Sequence, residues 1–161
     1  MDEVREAVTV EGGILFGHDG STCAQEALQW AGRLALRADL DLHVVRSWSL
    51  TTAPRPATWT PGYVPPLVDW EKAVLDELTR HVAVAELDPG VRVSCSVVHK
   101  APAPALTAAA EGANLLIVGA RGHGGFAGLL LGSVSDQLVH HAPCPVTVVR
   151  TGAFGRELPP A

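Results

Sequence analysis

The chain predicts an α/β fold: a single doubly wound parallel sheet of five strands with helices on both faces. Short apolar runs alternate with segments of helical period, and one extra strand closes the series. The run Asn114 to Val118, NLLIV, is apolar at four successive positions, as a central parallel strand covered on both faces requires. A glycine-rich stretch follows that strand immediately, at the carboxyl end where sheets of this kind bind ligands.

The elements follow in order. Residues 13–18, GILFGH, read as a buried strand that stops at Asp19-Gly20. Thr22 and Gln25 have capping-box spacing, and Ala24, Ala27, Leu28, Ala31, Ala35 and Ala38 then recur as a small-residue face for packing on a sheet. The next strand runs from about Asp41 to Trp48. Residues 50–67 hold five prolines and no helical period, so they read as a long surface loop. Leu67, Trp70, Val74, Leu78, Val82 and Ala85 form the stripe of a second helix. In VRVSCSVV, the alternation of valines and Cys95 with Arg92, Ser94 and Ser96 suits a strand at a sheet edge. Pro102 opens a third helix, and Ser133 with Asp136 forms a second capping box before the last strand, Pro145 to Arg150. The ordered core spans about residues 10–150, and the tail from 151 to 161 reads as frayed.

At 161 residues with 47% hydrophobic content, the chain fits one domain. The formal charge of −5 repels the phosphates of nucleic acid and of anionic lipid, so neither is expected as a partner. An anionic ligand must then be held locally, by backbone donors and a few side chains. The three cysteines are far apart and form no C-x-x-C pair, which fits a reducing cytoplasm. The start, MDEVREAVTVEGG, lacks an apolar signal region, and no apolar run approaches the ~20 residues of a membrane span. The seven histidines form no H-x-x-x-H pattern, so no protein metal site is expected.

Residues 119–132 hold six glycines. A phosphate chain needs converging N–H donors, backbone that can approach without Cβ obstruction, and a positive helix end. This stretch can supply all three. It lacks the lysine of G-x-x-x-x-G-K-[ST], the G-x-G-x-x-G of dinucleotide sites and the G-x-S-x-G of serine hydrolases. On spacing alone, an anion-binding loop and a merely tight strand–helix connection both stand.

Gly119-x2-Gly122-x9-Gly132-Ser133 resembles the G-x2-G-x9-G-[ST] signature of the ATP-binding branch of the universal stress protein family. The likeness runs from Gly17-His18-Asp19-Gly20-Ser21 through LHVV and NLLIVGARGHGG to LLLGSVSDQLVHHAPCPVTVVR. It implies a Rossmann-like sheet of the adenine nucleotide alpha hydrolase type, in order 3-2-1-4-5, with ATP at the switch between the first and fourth strands. Carried over by position, Asp19 and the backbone of Val44 would address the adenine, with Gly17 beside it. Gly119 and Gly122 would lie against ribose and phosphates, flanked by Val118. Gly132, Ser133 and Ser135 would donate to the phosphates around Val134, with Arg121 and His123 on the connecting loop. Magnesium would arrive bound to the phosphates.

The resemblance also implies a homodimer through the last strand, Val146 to Val149, and a signalling partner that the sequence does not identify. One departure stands out: where the family commonly has a glycine before x-Pro, this chain has Lys100-Ala101-Pro102. Lys100 either restricts the loop near the ribose or lends the nucleotide a cation. Three functions are then weighed: a nucleotide-dependent stress-response switch, a slow ATPase using His123 or a carboxylate as base, and a dimeric interaction module that binds no nucleotide. The absence of a plainly placed general base favours the switch.

Overall fold

The computed structural model describes residues 3–120 and 131–150. Five strands, β1 (Ile14–Gly17), β2 (Leu42–Trp48), β3 (Val93–His99), β4 (Leu115–Gly119) and β5 (Val146–Val149), alternate with helices α1 (Thr22–Ala38), α2 (Leu67–Val84), α3 (Pro102–Ala109) and α4 (Ser133–His141). The sheet order is β3-β2-β1-β4-β5, and all four pairings are parallel. This is the order that the resemblance implies.

Each strand sends alternate residues to opposite faces. Ile14, Phe16, Leu42, Val44 and Ile117 face α1 and α2 with Leu28, Val74 and Leu78. Leu15, Val45, Leu116 and Val118 face α3 and α4 with Leu106 and Leu138. Both faces are therefore dry, which explains the apolar runs without alternation in β1 and β4. The small residues of α1 let it approach the sheet closely: Ala24, Ala27, Ala31, Gly32 and Ala35 are buried, whereas Ala38 is exposed beyond the packed face.

Helix starts differ from the sequence expectation by one residue. The cap of α1 is Ser21, whose Oγ accepts from the Ala24 amide at 3.1 Å, and Thr22 is already helical. The cap of α4 is Gly132, so Ser133 lies inside the helix and makes no capping bond. Both shifts have one cause: the residue before the expected cap adopts extended backbone, and its carbonyl already accepts the first helical bond, from Gln25 and Asp136 respectively.

The proline-rich segment between β2 and α2 is an ordered loop over α2. Pro56 and Pro65 are buried, the Trp70 indole donates to the Pro65 carbonyl at 3.2 Å, and the Arg55 guanidinium lies 4.4 Å over the Trp59 ring. The 3-10 turn Ala110–Gly112 leads from α3 into β4.

Candidate functional site

Because β2 and β3 lie on one side of β1 and β4 and β5 on the other, the connections leaving β1 and β4 diverge and open a crevice above the sheet. A cavity of about 930 Å³ occupies that place, at the carboxyl ends of the strands. Gly17, His18 and Asp19 line it from β1, Val45 to Trp48 from β2, Val118 and Gly119 from β4, and Leu131 to Ser135 from the start of α4. Ser49, Thr51 and Thr52 close one end, and Lys100 to Pro102 with Leu106 form the α3 wall.

The α4 end is built to take an anion. The Gly132 amide donates to the Ala120 carbonyl at 2.7 Å, and Asp136 returns the first helical bond to Gly132 at 2.9 Å. The amides of Ser133, Val134 and Ser135 between them have no acceptor among the described residues. They point out of the positive end of a helix, and the Ser133 hydroxyl stands beside them. Two expectations are corrected here. Gly132 keeps no free N–H, because Ala120 consumes it. Ser135 spends its hydroxyl proton on the Gly119 carbonyl at 2.7 Å, which ties α4 to the end of β4 and leaves its backbone amide to face the cavity.

Gly119 is the last residue of β4. Its backbone stays extended in β4, and its glycine identity answers to packing, since a Cβ there would stand 3.0 Å from Cys23 Sγ. Gly17 is constrained in the same way: a Cβ would sit 2.7 Å from Leu106 Cδ1 and 3.1 Å from Val118 Cγ1. Arg121, Gly122 and His123 lie outside the described residues.

After β1, Asp19 is exposed on the cavity rim, with Oδ1 accepting from the Ser21 amide at 2.9 Å. Val45 lines the cavity from β2, while the expectation for Val44 concerns its backbone and not its side chain. Val44 points to the opposite face, into the core beneath α1 and α2. Behind Asp19 the β1–α1 turn rests on Arg46. Gly20 has φ +84, and the position of its absent Cβ is 3.4 Å from Cζ, Nη1 and Nη2 alike, so the guanidinium lies flat against the turn. Arg46 is buried, pairs with Glu77 of α2, and reaches the Thr52 carbonyl at 3.5 Å.

His18, 2% exposed, completes this support. Its Nδ1 accepts from the Gly20 amide at 2.9 Å, so the ring proton sits on Nε2 and is donated to Gln25 Oε1 at 3.1 Å. Gln25 in turn donates to the His81 carbonyl at 2.8 Å, and the two imidazoles stack at 4.9 Å. Burial, reinforced by the neighbouring His81 and Arg46, pulls the His18 pKa down to about 4. His18 is thus a neutral strut with both nitrogens engaged. Among the described residues, no group of three His, Cys, Asp or Glu side chains could share a metal ion.

Sequence reasoning passed over His18, Arg46, Trp48 and the hydroxyl cluster at Ser47 to Thr52 as site residues. An arginine directly after LHVV was the available signal, because a cation inside an apolar strand needs a partner and a purpose.

The fold and the cavity define a doubly wound α/β protein with an anion-binding helix start at its topological switch point. The sequence profile of the Universal stress protein family matches residues 13–150, and the chain belongs to that family. A universal stress protein of Mycobacterium tuberculosis is 36% identical over 143 residues, covering 85% of this chain and 47% of that protein. The chain thus spans about half the length of the curated relatives it matches. Among solved structures, the universal stress protein UspA from Lactobacillus plantarum superposes with a TM-score of 0.67 at 19% identity, covering 89% of this chain and 99% of that one. A universal stress protein in complex with cAMP gives a TM-score of 0.60 at 25% identity, over 89% of this chain and 99% of that one. No helix among the described residues is long and apolar enough to cross a membrane.

Proposed function

We propose that the protein binds an adenine nucleotide, ATP carrying its magnesium on the phosphates, and acts as a nucleotide-dependent switch in a cytoplasmic stress response. The observation that carries this reading is the trio of amides at Ser133, Val134 and Ser135 that have no acceptor among the described residues, set in a large cavity that the Asp19 carboxylate also lines. Amides at a helix start favour phosphate oxygens. The carboxylate repels phosphate and suits the exocyclic amine of adenine, so base and phosphates take opposite ends. The neighbour solved with cAMP supports the same class of ligand.

A role as switch rather than enzyme draws on His18. It is the histidine of the described cavity wall, and neither of its nitrogens has a lone pair free to activate water. Occupancy would instead act on what the cavity touches: the Ser49 to Thr52 turn, and α2 through Arg46 and Glu77. A signalling partner would read that state on the surface. Pairing through β5 would place two such sites in one homodimer.

Mass spectrometry of protein denatured straight from purification tests the reading. Stoichiometric adenine nucleotide is the expected result, and a preparation with none that also takes up none on dialysis against ATP would refute it. Phosphate release abolished equally by Gly122→Val and His123→Ala would favour an enzyme.

A further inference from the structure

Arg46 is a cation in β2 that is only 5% exposed. An ion pair this buried adds little net stability, because desolvating both charges offsets most of their attraction, so the pair with Glu77 does not by itself account for a guanidinium here. What Arg46 supplies is geometry. Its plane meets three separate segments: Glu77 holds it from α2, Nη2 lies 3.5 Å from the Thr52 carbonyl, and Cζ, Nη1 and Nη2 each stand 3.4 Å from the position of a Cβ on Gly20. A guanidinium can present its flat face to the Gly20 turn and its N–H edge to Glu77 and Thr52, whereas a lysine ammonium is a point charge on a flexible stem.

The turn that Arg46 braces is the one that carries Asp19. Gly20 sits at φ +84, its amide donates to His18 Nδ1 at 2.9 Å, and the Ser21 amide beyond it donates to Asp19 Oδ1 at 2.9 Å. The turn is thus held through its amide by His18 and across Gly20 by Arg46. Asp19 itself is exposed on the cavity rim, and its carboxylate is bonded within the turn, so its place depends on how firmly the turn is held. A group fixed before the ligand arrives loses less freedom on binding.

We infer that Arg46 is a positioning residue that acts on the nucleotide through Asp19, by fixing the turn that presents this carboxylate to the cavity. This rests on the nucleotide reading above and adds to it a residue whose effect runs through another.

Calorimetric titration of ATP into the wild type, Arg46→Lys, Asp19→Ala and the double variant tests it. Arg46→Lys keeps a charge beside Glu77 but loses the plane, and should weaken ATP binding about fivefold, the cost of ordering the turn anew. In the Asp19→Ala background the same change should cost less than about twofold, because no carboxylate is left to position. A loss of equal size in both backgrounds would mean that Arg46 touches the ligand or merely supports the fold, and no loss in either would mean that the turn needs no brace. Either result overturns the inference and leaves nucleotide binding standing. Amide hydrogen exchange in the free proteins gives a second readout: exchange at Gly20 and Ser21 should quicken at least about fivefold in Arg46→Lys while that of α4 stays the same, and unchanged exchange at these two amides would also overturn it. If Arg46→Lys does not fold, Arg46→Gln combined with Glu77→Gln removes both charges together and is read by the same two measurements. A wild-type protein that binds no ATP would overturn both this inference and the nucleotide reading.

Discussion

At His18 the backbone sets the protonation state. A proton on Nδ1 would face the Gly20 N–H and break the bond it now makes, in a setting where burial already penalises charge. The folded pKa of about 4 lies below the ordinary 6.5, so between these values the unfolded chain binds a proton that the folded chain refuses. Stability from this group is complete above about pH 6.5 and is lost as pH falls toward 4, by at most about 3 kcal/mol. His81, also lowered chiefly by burial, acts in the same direction. Urea midpoints measured from pH 7 to pH 4 should fall, and should fall less steeply in His18→Gln; an identical slope in that variant would exclude this account. The parity of Val44 and Val45 was not readable in advance. In a strand covered on both faces the adjacent valines of LHVV are equally apolar, and nothing in the letters says which side chain meets the cavity. Arg46 was obscured for another reason, since Glu77 stands 31 residues away on α2.

Among the elements, β5 and α4 carry the functional weight. The carbonyls of Pro145 and Val149 accept from Leu116 and Ala120, so the backbone groups of Val146 and Val148 between them turn to the free edge. All four residues of β5 are only half buried. An apolar, uncharged edge of this kind is protected by pairing. Sedimentation at micromolar concentration should show a dimer, and Val148→Pro, which removes an outward N–H, should give a monomer of unchanged helix content. A wild-type monomer would contradict the proposed pairing. Element order and type were legible because periodicity is strong in each segment. The start of α4 was not, because the partner of the Gly132 amide is a carbonyl at the end of β4, a contact that exists only once strand and helix are set together.

For the whole molecule, net charge and topology point to one mode of recognition. A chain of formal charge −5 does not draw a phosphate ligand by its general field, so the proposed binding rests on local donors, most of them backbone. The switch point supplies the place, and the cavity spans it. The place of this site was legible in the sequence, because a glycine-rich stretch and a helix start follow a buried strand directly, whereas the amides without an acceptor among the described residues belong to Ser133, Val134 and Ser135 rather than to the glycines. The supporting shell of His18, Gln25, Arg46 and Glu77 was not, since it is assembled from three separate segments. Ser133→Pro tests the central claim most directly. Proline suits the first helical position, and Gly132 before it is already extended at φ −67 and ψ 161, so the variant deletes one amide donor and one hydroxyl while sparing the fold. Calorimetry should show the affinity for ATP reduced at least about tenfold with thermal stability nearly unchanged. A variant that binds ATP as tightly as the wild type would show that the α4 amides do not hold the phosphates.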